Sequence, residues 1–254
     1  MRIAIIGHGN VATSLQAAFA AKGMNVPLLS AHTLLSAPQD EPISDSTDVL
    51  IYAVCDTVLP EVVKAIHVPQ RVLHVHTSGT IPLTVFGEDK PHCGILYPFQ
   101  SFTKAAPLAD FSEVPLFIEA RGIDDISAMY TLALALSPRV YEAPQQERER
   151  LHVAGVFANN FTNCMYLIAA ELLQGTSIPF SALLPLIDQT AAKVHQLSPR
   201  EAQTGPSARH DEAVMAHHLE VLRRLQASTN KTLSSTVPAE VYELLSNYIS
   251  GKQR

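Results

Sequence analysis

The sequence predicts an α/β protein: a Rossmann-type parallel sheet covered by helices, followed by an all-α domain. Three observations carry this. Apolar, strand-like runs alternate with helix-like segments as far as Pro144, the pattern of a parallel sheet covered on both faces. The turn Gly7-His8-Gly9-Asn10-Val11-Ala12 follows the first apolar run and opens an alanine-rich helix. Beyond Pro144 no convincing strand follows, so residues 1–144 read as a nucleotide-binding domain and 145–254 as a helical one.

The elements follow in order. Residues 2–6 are a short apolar run stopped by glycine and read as a buried strand. Residues 10–22 are alanine-rich and end at Gly23, a natural helix C-cap. Residues 25–29 are a second strand, and the polar, proline-punctuated stretch 33–46 reads as loop. Residues 48–54 are a third strand. A helix follows, with Asp56 or Thr57 as its cap and Pro60 in its first turn. Strands are expected over 71–76, 93–96, 115–119 and 139–142, with a helix over 123–136. The second half predicts helices over 145–173, 180–196, 207–226 and 239–249.

Composition narrows the function. The charged residues are 17% of the chain, against about 25% on average, which suggests surface buried in an oligomer. A net charge of −6 without a basic run argues against nucleic acid as a partner. Cys55, Cys93 and Cys164 form neither a disulfide framework nor a metal motif, and fit a reducing, cytoplasmic setting. The first residues lack a signal-peptide layout, and no apolar run predicts a membrane span.

The Gly7–Ala12 turn is a GxGxxA cradle. Gly7 permits the tight turn, Gly9 lets the backbone approach a pyrophosphate, and Ala12 lets the helix pack on the strand. His8, Asn10 and Val11 complete the turn, where the helix N-terminus offers N–H groups and a positive dipole end. No carboxylate follows the second strand to hold the ribose hydroxyls of NAD, so NADP(H) is favoured over NAD(H). Ser30, His32 and Thr33 can donate to its 2′-phosphate, although His32 also fits a solvated loop. Val54-Cys55 and Thr77-Ser78, at later strand ends, should meet the cofactor too. His74 and His76 share a strand face and read as core or cleft histidines, with no metal expected.

On the predicted long helix, His152, Asn159 and Asn163 fall within about 40° of one face. Such a polar stripe on an apolar helix suits a cleft facing the cofactor, or hydrogen bonding at a helix seam. Thr204 or Ser207 can cap a helix whose entry, with Arg209, suits a substrate carboxylate or plain capping.

The segments GHGNVA, VHTSGT, LYPFQSF, HVAGVFANNFTNCMY and AQTGPSARHD together resemble a bacterial family of NADP-dependent oxidoreductases. Its members pair a Rossmann-like domain with a helical domain similar to the C-terminal part of 6-phosphogluconate dehydrogenase. The family is also similar in architecture to pyrroline-5-carboxylate reductase and ketopantoate reductase. The resemblance implies a dinucleotide site at Gly7–Ala12, a substrate cleft between domains, and a homodimer built from the helical half.

One departure matters. Hydroxyacid dehydrogenases of the wider superfamily carry a Lys-x-x-x-Asn acid/base pair on the long helix. Here no lysine stands between Lys104 and Lys193. That moves the expected reaction toward reduction of an imine or keto acid, since a protonated imine already accepts hydride. His152 becomes the expected acid, because imidazoles titrate near neutrality. Asn159 and Asn163 would position a small carboxylated substrate, and Ser78 and Gln100 would orient it. Tyr97 and Phe99 suit either the same loop or plain packing. The rival class is a non-catalytic NADP(H) sensor. A methyltransferase would need an acidic residue after the second strand, which is absent.

Overall fold

The computed structural model describes residues 1–36, 43–227 and 236–252. Seven strands form one sheet in the order β2-β1-β3-β4-β5-β6-β7. They are β1 (Ile3–Ile6), β2 (Leu28–Leu29), β3 (Val49–Tyr52), β4 (Leu73–His76), β5 (Cys93–Pro98), β6 (Leu116–Ala120) and β7 (Val140–Glu142). Every residue of β1, β3 and β4 is buried, as covering both faces of a parallel sheet requires. Pleating sends Ile3 and Ile5 to one core, shared with Leu15, Phe19 and Met129. It sends Ala4 and Ile6 to the other, with Leu50, Tyr52 and Val62.

These cores are built by α1 (Asn10–Ala21) and α4 (Ile123–Leu134) on one face and α3 (Leu59–Ala65) on the other. The Rossmann-type expectation holds with one exception. β6 runs antiparallel to β5, pairing Ile95 with Glu119 and Tyr97 with Phe117. A parallel pair needs a crossover, usually helical, and residues 99–115 contain no helix.

Three local expectations are corrected. Part of the expected loop 33–46 is helical: α2 (Ala31–Ser36) forms where the Ser30 hydroxyl accepts the Thr33 N–H at 3.2 Å. Residues 37–42 of that loop lie outside the described residues. Neither Asp56 nor Thr57 caps α3, whose N-cap is Val58 without a side-chain bond. The helix expected from Ser207 begins only at Glu212, because Gly205 (φ 104) and His210 (φ 55) turn the chain first. Asp211, rather than Thr204 or Ser207, then accepts the Val214 N–H at 3.2 Å.

The chain forms two compact units, Met1–Asn159 and Asn160–Arg254. In the first, α5 (Gln145–Gly155) follows β7 after Pro144. Next in sequence come a π-helical segment, Val156–Phe161, and α6 (Thr162–Leu172). The second unit continues with α7 (Leu184–Lys193), α8 (Pro199–Ala202), α9 (Glu212–Ala227) and α10 (Val237–Ser250). No helix among the described residues is long and apolar enough to cross a membrane.

His74 and His76 are core residues. His74 Nδ1 lies 2.8 Å from the Tyr52 hydroxyl, and Phe86 packs near both imidazoles. Burial, aided by the Lys90 ammonium, lowers His74 to about 4. Burial, then the Arg148 guanidinium, lowers His76 to about 3. The unfolded chain takes up these protons near pH 6.5, while the folded chain resists them. Their contribution is therefore complete above about pH 6.5 and is lost as pH falls toward the folded values. Urea-unfolding stability should drop between pH 7 and 5, by at most about 1.4 kcal/mol per pH unit for each histidine. His74→Gln should flatten that slope.

Candidate functional site

The end of β1 turns at Gly7, whose φ is 126°. A Cβ there would stand 2.3 Å from the Ala53 carbonyl oxygen, so only glycine fits. The Gly7 N–H donates to the Leu29 carbonyl at 2.8 Å. The ends of β1, β2 and β3 thus converge on one residue. Gly9 is the N-cap of α1 and makes no side-chain cap, and a Cβ added to it would meet nothing within 4 Å. The first-turn N–H groups of α1 stand uncapped beside open space, as close approach by a phosphate requires.

The rest of the turn has separate duties. His8 is exposed, Val11 packs on the core and Ala12 is buried. Asn10 Oδ1 accepts the Lys104 N–H at 3.0 Å, so its side chain holds a neighbouring loop and its backbone is what remains for a ligand. Val54 packs beside Gly7, and Cys55 is exposed. Ser30 caps α2 and His32 is exposed at its start.

The loop after β4 is internally bonded. The Ser78 hydroxyl donates to Asp56 Oδ2 at 2.9 Å and accepts the N–H groups of Thr80 (3.1 Å) and Ile81 (3.0 Å). Thr80 also donates to Asp56, at 2.8 Å. Thr77 lies against the Tyr52 carbonyl at 3.5 Å. Ser78, expected to orient substrate and to meet the cofactor, thus has its hydroxyl engaged within the loop that it shapes.

That shape presents Gly79 to a pair of side chains. Tyr97, near the end of β5, has its hydroxyl 3.0 Å from Nδ1 of His152 on α5. A Cβ on Gly79 would lie 2.8 Å from Tyr97 Cζ and 2.9 Å from His152 Nδ1. One turn on, a Cβ on Gly155 would lie 2.7 Å from the Phe99 ring. Both glycines let α5 sit close on the end of β5. Burial holds the Tyr97 phenol above its usual value, and the Arg148 guanidinium offsets only part of that rise.

His152 is thus brought together with Tyr97, a residue whose packing and site roles were left open by sequence. The signal was faint: an aromatic at a strand end and a histidine far along the chain. Gln100 is exposed, and its side-chain oxygen accepts the Ser101 N–H at 2.8 Å. Asn159 is exposed in the π-helical segment, and the α-helical period assumed for its alignment is interrupted there.

Asn163 and Arg209 are exposed. Thr204 lines an apolar cavity of about 350 Å³ with Met165, Leu222 and Tyr242. Among the described residues no group of three potential metal ligands gathers.

Gly79→Ala should separate Tyr97 from His152 without disturbing the cradle. The expected readout is a changed imidazole nitrogen signal of His152 in NMR, with cooperative unfolding retained. Gly7→Ala should instead cost about 2 kcal/mol or more in urea unfolding, since both its φ and the Ala53 carbonyl oppose a side chain.

Comparison with known proteins places this geometry in context. No curated protein matches the chain in sequence. A family model described as a domain of unknown function (DUF2520) matches residues 114–249, just over half of the chain. A Bacteroides fragilis protein, provisionally named an NADP oxidoreductase, is 36% identical, with 98% of each chain covered and a TM-score of 0.82. An imine reductase from Myxococcus stipitatus in complex with NADP+ is 15% identical, with 99% of this chain and 96% of that one covered and a TM-score of 0.61. A reductive aminase from Aspergillus terreus in complex with NADPH and ethyl-5-oxohexanoate is 11% identical, with 100% and 96% covered and a TM-score of 0.66. At these last two identities the likeness speaks for the fold. On the family model and the Bacteroides relative together, the chain belongs to the DUF2520 family.

Proposed function

We propose that this protein is an NADP(H)-dependent oxidoreductase that transfers hydride between the nicotinamide and a small carboxylated imine or keto acid. One observation carries the reading. The uncapped start of α1 at Gly9 and the Tyr97–His152 pair stand at the same edge of one sheet. β1, β3, β4 and β5 are successive parallel neighbours, so the two features are about 14 Å apart across the sheet. One extended dinucleotide can reach both. The name of the Bacteroides relative, and the cofactors bound by the imine reductase and the reductive aminase, support the same cofactor.

The residues fit such a group: the cradle is glycine-only at Gly7 and open at Gly9. The backbone of Gly7, His8, Gly9, Asn10 and Val11 would hold the pyrophosphate, and Val54, Cys55 and Thr77 would border the rest. Ser30 and His32 would meet the 2′-phosphate. When bound, NADPH supplies a hydride from C4 of the nicotinamide.

His152 then acts as the proton donor to the substrate nitrogen or oxygen. With Nδ1 engaged by Tyr97, its Nε2 is left for the substrate, and the Tyr97 hydroxyl holds the ring in place. Asn159, Asn163, Gln100, Thr204 and Arg209 remain the proposed substrate contacts. Ser78 serves by shaping the loop that carries Gly79.

The same reading includes a cytoplasmic homodimer joined through the helical half. Among the described residues of the second unit, the buried side chains are Ser207, Leu222, Pro238 and Ser246. Leu167 (57% exposed), Leu186 (66%) and Tyr248 (84%) stand open. So much exposed apolar surface is typical of a contact face.

Tight NADPH binding and turnover of cyclic imines or 2-keto acids are expected. Gly9→Asp should abolish that binding, and His152→Ala should lower kcat about a hundredfold with binding kept. Tight binding without turnover of any such substrate would favour the sensor instead. Sedimentation should give a dimer that Leu186→Glu weakens.

A further inference from the structure

Arg148 carries a permanent charge in a fully buried position, at 0% exposure. Its bonds run to three elements. Nη1 pairs with the Glu119 carboxylate on β6 and donates to the Ala143 carbonyl at 3.3 Å. Nη2 donates to the Ile81 carbonyl at 3.0 Å. Its Nε finds no partner among the described residues. A buried ion pair of this kind is rarely the cheapest way to fill a core, because apolar residues of equal volume do as well or better. Its presence asks for a reason beyond stability.

Each partner belongs to the surroundings of His152. Ile81 closes the Ser78 loop that presents Gly79. Glu119 stands opposite Ile95, two residues before Tyr97 on the same face of β5. Arg148 itself lies four residues before His152, one turn earlier on the same face of α5. The guanidinium therefore ties together the loop, the strand pair and the helix that enclose the Tyr97–His152 contact. It is also sealed from solvent, so it is not a docking point for a substrate carboxylate.

We propose that Arg148 is a positioning residue: its fork to Glu119 and Ile81 fixes the seat of α5 and so holds His152 Nδ1 on the Tyr97 hydroxyl. The step from this seat to catalysis rests on the reading of His152 as proton donor. A lysine would keep the charge but not the planar fork, so it could not serve Glu119 and Ile81 together.

The test uses the full chain and reads the His152 ring nitrogens by NMR, with no substrate present. Arg148→Lys is expected to unfold cooperatively and to bind NADPH within about twofold of wild type. Its His152 Nδ1 signal should move to that of Tyr97→Phe. On any substrate that wild type turns over, kcat should fall about tenfold or more with KM little changed. Glu119→Gln, at a partly exposed position, should move the same signal part of the way and decides the matter if Arg148→Lys does not fold. A folded variant whose His152 signal stays at the wild-type position overturns the proposal, because a purely structural arginine would alter stability alone. If wild type reduces no imine or keto acid, the oxidoreductase reading fails, while the nitrogen signal still decides the role of Arg148.

Discussion

The close seating of α5 on the carboxyl end of β5 is the constraint on which the candidate site depends. It requires space on both sides of the contact. Gly79 leaves room for the Tyr97 and His152 rings, and Gly155 leaves room for Phe99. It also requires something to hold a helix start that no side chain caps, since the N-cap is Pro144. The Arg148–Glu119 pair supplies that hold from below, at the cost of desolvating the guanidinium and part of the carboxylate. With the spacing relaxed, a tyrosine and a histidine 55 positions apart would have no reason to meet.

The sheet determines where this contact is useful. A parallel sheet gathers its strand ends on one edge, and helix N-termini open toward that edge. Here the edge holds a glycine turn closed against the Ala53 carbonyl, an uncapped helix start, and a loop shaped by Ser78 and Asp56. The polar groups of that loop satisfy one another, so its backbone is rigid before any ligand arrives. At that edge His152 keeps its Nδ1 on the Tyr97 hydroxyl.

Much of this was legible in the chain. Fully apolar, β-branched runs such as Val49–Tyr52, bounded by turn residues, read as buried strands, and their alternation with helices implies a parallel sheet. Gly7 and Gly9 were legible because a glycine-rich turn between strand and helix has a backbone reason that sequence position alone reveals. His152 was singled out as a polar residue with apolar neighbours further along the chain, while its Tyr97 partner was not visible. Less was visible where partners come from afar. The engagement of the Ser78 hydroxyl was not visible because its acceptor, Asp56, sits 22 residues earlier. Asp56 looked like a helix cap for the same reason. The antiparallel β6 could not be seen because a long loop without a helix does not announce its direction.

What the sequence by itself determined is therefore local and periodic: the strand and helix order, the glycine cradle, the change to helices alone after Pro144, and the absence of a helix lysine. Each rests on backbone sterics or on spacing within one element. What only the tertiary structure decided is the pairing of Tyr97 with His152, the burial of Arg148 among three elements, and the occupation of Ser78. Those depend on how closely two elements approach. That distance is set by side-chain volumes and buried charges contributed by distant stretches of chain, and no single stretch encodes it.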